Sequence, residues 1–484
     1  MKKVLLALSA VLLLGLVLRI GFASLVVQSH GPVSFADIHG DTGGYIQLGE
    51  RMSERKSYTA GTKNHRNRGL VRPPGYPAFY SVTRAIYLLM DIDLRADLRP
   101  IIWPQVVLSL GQVAATFFIM LRAVRNLWFA CLGGAMAALS PTAIGCAAIA
   151  LPDSLFGATF ALAFLGLLIA MRPVPDWKQD VAHADASTNP TADRTARIRR
   201  KTANRVSLAG LSLAIATLLK PAAVYWPILG VPILLLARGI NRGSLGDVRR
   251  LFLPMVIAVA MWTTYNGLAE NVWVFSTVSE RNMRYGVVPA VEAAAKLKRL
   301  PTQAEYGRRA WVAINRDRNH ILREGLPDEL HDRITSETSA VVRAHPIWTA
   351  RVLISNLRTQ LCGRYKAIHR QLTDPHLPVA ASIRGWVVDT GAPWAVTAWY
   401  GLMLMSLPLC WLARDHCDWR VLALCWIGFT YIALPTGTVG SEGTRLLLAG
   451  EPMAITLIVS SLAMGFGLVR KYLARRKPAV SPTP

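Results

Sequence analysis

Apolar positions in this chain fall in unbroken runs; they neither alternate nor recur every third or fourth residue. The first run follows Met1-Lys2-Lys3 and continues to about residue 27, and comparable runs recur to about residue 470. Several approach the roughly 20 residues that a helix needs to cross a bilayer core. The pattern predicts spans over 4–27, 101–121, 127–147, 153–171, 206–219, 221–237, 251–268, 388–412, 419–435 and 446–470. A backbone in lipid must satisfy its own hydrogen bonds, so the expected fold is all-α, a polytopic membrane protein with about ten transmembrane helices.

Residues 74–90 are apolar enough for an eleventh crossing, but counting it would move the basic 172–205 loop to the other side. They are therefore expected as an amphipathic helix in the outer interface. The alternative, that 74–90 spans and 206–237 crosses once, stays open.

Between the runs lie three outer segments: a 28–100 loop, a long 269–387 region broken at Leu300-Pro301 and His345-Pro346, and a short loop near 436–445. Residues 173–205, rich in Ala, Asp, Thr and Pro and then in Arg, read as a flexible linker. The expected organisation is a membrane module over 1–268 containing the 28–100 loop and that linker, an outer helical region over 269–387, and C-terminal spans with a basic tail over 388–484. No internal repeat points to a transporter built from two halves.

Composition agrees with the membrane reading: 52% of the 484 residues are hydrophobic and 17% charged, with a mean hydropathy of +0.32. The net charge of +25 would point to nucleic acid in a soluble chain. Here Lys2, Lys3, Arg122, Arg125, the 194–205 and 238–250 runs and the 470–477 tail all fall on one side of a ten-span topology. That is the cytoplasmic bias of membrane proteins, reinforced by anionic lipid headgroups. No nucleic-acid-binding signature accompanies the charge, so no nucleic-acid partner is expected. The predicted location is a bacterial inner membrane, with both termini cytoplasmic and the outer loops periplasmic. Arg19 and the lack of a small-x-small cleavage site predict an uncleaved first helix. Of the six cysteines, Cys131, Cys146, Cys410, Cys417 and Cys425 lie in or beside spans and Cys362 in a polar region, which gives neither a disulfide framework nor a C-x-x-C metal site.

Candidate chemistry concentrates in the first outer loop. Asp41-Thr42-Gly43-Gly44-Tyr45 precedes Arg72-Pro73-Pro74-Gly75-Tyr76-Pro77 by about thirty residues. A carboxylate at Asp41 is suited to accept a hydroxyl proton or to stabilise charge at an anomeric carbon; it is equally suited to cap a helix. Two prolines hold Arg72 extended and aim a guanidinium that matches phosphate, or that anchors among headgroups. Asp37, His39 and Asp41 form a D-x-H-x-D set that would converge on a divalent metal ion only from an extended backbone.

This combination resembles the protein O-mannosyltransferase and aminoarabinose-transferase group of the GT-C superfamily. The matching elements are D-x-x-x-Y in the first loop, then R-P-P-x-Y-P opening an apolar helix. Further similarities follow in order: Leu151 to Phe156 around Asp153, Gly210 to Lys220-Pro221, Trp262 to Gly267 with Phe275-Ser276-Thr277 and Asn282, and Arg445 to Pro452. Matching is weak over 287–387. Met261 and Tyr265 stand where the family has Pro and Arg, Gly44 where aminoarabinose transferases have a basic residue, and Val71 where they have an acidic one.

The resemblance implies an inverting glycosyltransferase that moves a sugar from a polyprenyl-phosphate-linked donor to a lipid, glycan or protein hydroxyl of the envelope. Asp41 and Asp153 would be the active-site acids. Arg72, Tyr45, Tyr76, Lys220, Asn266 and Arg445 would bind substrate. Read without the resemblance, Asp153 serves equally as a helix-dipole acid, Lys220 as a snorkelling hairpin apex and Arg445 as an interface anchor. The competing functions are a non-catalytic transporter of lipid-linked sugar, with charges along a central passage, and an envelope-assembly subunit whose loop chemistry is dispensable.

Overall fold

A computed structural model describes residues 2–36, 41–54, 58, 72–92, 94, 97–171, 190–302, 305–310, 312–313, 327–361, 393–412, 417–436, 438 and 443–475. Among these residues there are helices and turns and no strand. In chain order the helices are α1 (Lys2–His30), α2 (Thr42–Ser53), α3 (Gly75–Leu88), α4 (Arg99–Val124), α5 (Leu127–Leu139), α6 (Pro141–Ala147), α7 (Asp153–Ala170), α8 (Pro190–Leu219) and α9 (Trp226–Arg238). There follow α10 (Arg242–Glu270), α11 (Val278–Asn282), α12 (Val288–Leu297), α13 (Pro327–Ala344), α14 (Pro346–Leu361), α15 (Pro393–Leu412), α16 (Trp419–Thr436) and α17 (Glu451–Arg475).

Eight of the described helices, or nine if a bent pair is one span, are long and apolar enough to cross a membrane. The bent pair is α5 and α6, which meet at 49°. Ser140 forms the corner: its hydroxyl accepts from the Ala143 amide and caps α6, whose first residue is Pro141. The stretch Ala398–Leu412 of α15 is apolar but shorter than the spans, so the expected ten are not all matched by a full-length apolar helix. Helix α3 has 14 residues and is not one of the candidate spans.

The most enclosed span is α7, rich in Gly and Ala, and it packs against α4 and α8. Without a hydrophobic drive between helices in lipid, close approach of small residues supplies much of the association. A Cβ on Gly166 would lie 1.9 Å from that of Ala209, and one on Gly210 would lie 2.1 Å from the Arg250 carbonyl oxygen. These two glycines let α8 sit against α7 on one side and α10 on the other.

Contacts between helix ends sort the bundle. At one end the Ala150 amide donates to the Ala36 carbonyl and the Leu98 amide to the Pro32 carbonyl, and Lys220 meets Asp153. At the other end the Asp418 amide donates to the Ala123 carbonyl, while Arg238 bonds the Ala170 carbonyl and pairs with Asp247. Hence α8 and α9 form a hairpin with its apex at Lys220. The residues of the two loop motifs gather at the first end, and Arg122, Arg125, Arg238, Arg249 and Arg250 at the second.

Polar groups inside the bundle are concentrated on one face of α4. Gln105, Ser109, Gln112 and Thr116 recur at helical spacing and all are buried. Gln112 Nε2 donates to the Leu448 carbonyl at 3.0 Å and to Glu451 at 3.2 Å, and the Ser140 hydroxyl donates to Glu451 at 2.5 Å. Arg19, fully buried, bonds the carbonyls of Gly15, Ala138 and Ala137. This centre ties α1, α4, α17 and the α5–α6 corner together.

Adding a methyl at Gly210 forces the α8–α10 crossing apart. Gly210→Ala should cost about 1–3 kcal/mol by overpacking, read as a lower midpoint of thermal unfolding in detergent. Gly465→Ala, where a Cβ meets nothing within 4 Å, should be neutral or stabilising by up to about 1 kcal/mol.

Candidate functional site

The chain leaves α1 through Gly31, whose φ of +82° suits glycine, and drops Phe35 and Ala36 into the core. Asp41 then stands at the N-terminus of α2, where a helix cap is expected. Its side chain makes no capping bond. Instead Arg72 grips it as a fork: Nη2 to the carboxylate Oδ1 at 2.9 Å and Nη1 to the Asp41 carbonyl at 2.8 Å. The guanidinium also lies 4.3 Å from the centre of the Tyr45 ring, a cation–π contact. A Cβ at Gly44 would stand 3.0 Å from Arg72 Cζ. Gly44 therefore leaves room for the arginine at a position where a larger residue would crowd it.

Two residues that the sequence pattern did not single out hold this arrangement. The Tyr58 hydroxyl donates to the Arg72 carbonyl at 2.8 Å and approaches that of Pro73 at 3.3 Å, so it fixes the backbone from which the guanidinium projects. Burial, with Tyr45 adding to it and Arg72 opposing, keeps this phenol protonated far above its usual range. Its ring meets Trp262 edge-on at 5.0 Å, and Trp262 stacks on Tyr265 at 5.0 Å. Gln105 is the second. It accepts from the Tyr76 hydroxyl at 2.8 Å and donates to the carbonyls of Cys146, Ala147 and Ile149, which supports the turn leading into Asp153. A glutamine in an apolar run is itself a signal; Tyr58, in a polar loop, carries none.

The other pair of candidates meets at the hairpin apex. Lys220 Nζ lies 2.6 Å from Asp153 Oδ1, with side chains 16% and 2% exposed. Pro221 ends α8, and Lys220 takes an extended backbone (φ −144°, ψ 133°). The arginine loop and the apex adjoin: a Cβ on Gly75 would lie 2.6 Å from the Leu218 backbone. Between them, fully buried Tyr76 meets Tyr45 edge-on at 5.5 Å. Burial, then Tyr45, then Asp153 raise the Tyr76 phenol well above its usual range, so both ion pairs flank these rings.

The structure thus brings together Asp41, Arg72, Tyr45, Tyr76, Asp153 and Lys220. Asn266 is directed elsewhere: its buried amide donates to the carbonyls of Val274 and Phe275 and fastens the turn after α10. Arg445 lies on a 3-10 segment, Gly443–Gly450; its side chain is outside the described residues. Asp37 and His39 of the metal set are also outside them. Among the described residues no group of three His, Cys, Asp or Glu side chains is placed to hold a metal ion.

No protein-family model matches this chain, and no curated protein matches it.

Chemically, the site offers two cations and two carboxylates around a pair of tyrosines. The Asp41–Arg72 pair is the more open, at 40% and 17% exposure. Its carboxylate is the solvent-facing member, whereas Arg72 is as enclosed as Lys220. The Asp153–Lys220 pair is buried, and losing one partner of such a pair costs about 3–5 kcal/mol. Deleting one hydroxyl tests the brace under Arg72. Tyr58→Phe should lower stability by about 1 kcal/mol, and Tyr58→Ala, which also removes the ring, by about 3–5 kcal/mol, compared by thermal unfolding in detergent.

Proposed function

We propose that this protein is a membrane glycosyltransferase that moves a sugar from a polyprenyl-phosphate-linked donor to an envelope hydroxyl on a lipid, glycan or protein. The direct contact of Arg72 with Asp41, 2.9 Å apart and beside the second cation Lys220, is the observation that carries the reading. It supplies a base and a phosphate partner at one end of a bundle of membrane-length helices, where a lipid-borne donor arrives with its phosphate at headgroup depth.

The described basic clusters at the opposite end support an outward-facing site, because Lys and Arg favour the cytoplasmic side. In a bacterial inner membrane an outward-facing site opens to the periplasm. The resemblance of the two loop motifs to the GT-C group supports the same reading.

In the resting site Arg72 neutralises Asp41. A donor phosphate competes for the guanidinium in bidentate fashion, entering from the side of the solvent-facing Asp41 carboxylate. Asp41 is then released as a base next to the bound donor. The acceptor oxygen forms a bond to the anomeric carbon and its proton passes to the Asp41 carboxylate. The bond from that carbon to the phosphate oxygen breaks, and its electron pair leaves on the lipid phosphate, whose charge Arg72 and Lys220 offset. One displacement inverts the anomeric centre.

Asp41→Asn should abolish transfer in membranes while lipid-phosphate binding persists; full activity would remove the proposed base. Arg72→Ala should raise the donor KM by about tenfold or more, whereas an unchanged donor dependence would exclude a phosphate contact. Mass spectrometry of envelope lipids and glycoproteins with and without the gene identifies the sugar and acceptor, and identical profiles would refute the assignment.

A further inference from the structure

Asp153 reads from sequence as a second active-site acid, yet its surroundings fit a different task. Its carboxylate is 2% exposed, at the first turn of the most enclosed helix, beneath the residues that face the loop. An acid so placed does not reach an acceptor arriving from solvent. Lys220 is the more exposed partner, and its ammonium is held from two directions, by Asp153 Oδ1 at 2.6 Å and over the Phe156 ring at 5.7 Å. Phe156 belongs to the same turn of α7 as Asp153, so that turn forms a socket for the lysine.

Lysine carries a flexible four-carbon stem with three rotatable donors. At the hairpin apex it needs an anchor to stay aimed. Close packing of Gly75 on Leu218 and Leu219 sets this anchored ammonium beside the segment that carries Arg72.

We propose that Asp153 is a positioning residue: it holds the Lys220 side chain oriented as the second cation of a seat for the donor phosphate. The inference rests on the proposed phosphate-linked donor. It assigns the acid no contact with substrate and no proton in the reaction.

The sign of one substitution separates the alternatives. Asp153→Asn deletes a negative charge near an anion site, so electrostatics alone predicts tighter phosphate binding. Positioning predicts the reverse, a loss of about tenfold or more. The full-length chain in nanodiscs is titrated with undecaprenyl phosphate, followed by tryptophan fluorescence, with inorganic phosphate as the soluble comparison.

Weaker lipid-phosphate binding in Asp153→Asn, partial recovery in Asp153→Glu, and no further loss when Asp153→Asn is added to Lys220→Met are expected. The last result means that the acid acts only through the lysine. Equal or tighter binding in Asp153→Asn overturns the proposal, as does lost turnover with binding intact, which would make Asp153 a catalytic acid.

A second measurement needs no donor. Acetic anhydride modifies amines that are not held against a partner, and peptide mass spectrometry reads its rate at Lys220. Asp153→Asn should speed this acylation severalfold; an unchanged rate overturns the proposal even if the fold of the variant is intact. Failure of the unmodified protein to bind undecaprenyl phosphate would remove the glycosyltransferase reading, and with it the phosphate seat. The acylation rate would still decide whether Asp153 holds Lys220.

Discussion

Moving a charge from water into the interior of a lipid-embedded bundle costs several kcal/mol unless an opposite charge and hydrogen bonds travel with it. The architecture follows from how that cost is met. Arg19 is fully buried and spends its guanidinium on three backbone carbonyls. Glu451 takes the hydroxyl of Ser140 and the amide of Gln112. Apart from the Arg19–Gly15 bond within α1, these bonds cross between helices, so satisfying the polar group also sets the packing. The α5–α6 corner at Ser140 is a direct result: one hydroxyl caps the second helix and bonds the acid of a third.

The same constraint grades the two ion pairs of the site. Asp153 and Lys220 are withdrawn from water, so separating them leaves a stranded charge and the pair persists. Asp41 keeps solvent contact at 40% exposure while Arg72, at 17%, is as enclosed as Lys220 at 16%, so the two pairs differ in their carboxylates. Of the two carboxylates, Asp41 is therefore the one that a group arriving from solvent can reach.

Much of this was legible in the chain because lipid imposes long uniform signals. Runs such as 4–27 and 153–171 predict helices that the structure contains, and Asp153 and Lys220 stand out as charges next to apolar segments. The two loop motifs were also legible through their prolines, which limit where Arg72 can point. What escaped were contacts between distant segments with no periodic trace. A separation of 67 positions between Asp153 and Lys220 hides their pairing, and Tyr58 looks like any loop tyrosine until its hydroxyl is seen under Arg72. The polar stripe of Gln105, Ser109, Gln112 and Thr116 had a visible period but no visible partner. Asp41 illustrates the remaining ambiguity: its position is that of a helix cap, and only the presence of Arg72 diverts its carboxylate.

The departures from the GT-C pattern acquire a physical meaning in this setting. Tyr265 stands where that pattern has an arginine. The tyrosine stacks on Trp262, Trp262 meets the edge of Tyr58, and Tyr58 bonds the carbonyl of Arg72. This aromatic series braces the backbone that carries Arg72. Gly44 follows the same logic: a basic side chain is absent there, and the vacated space receives the Arg72 guanidinium. Both described cations of the site thus have a mount, Arg72 on a backbone braced by Tyr58 and Lys220 on the buried acid.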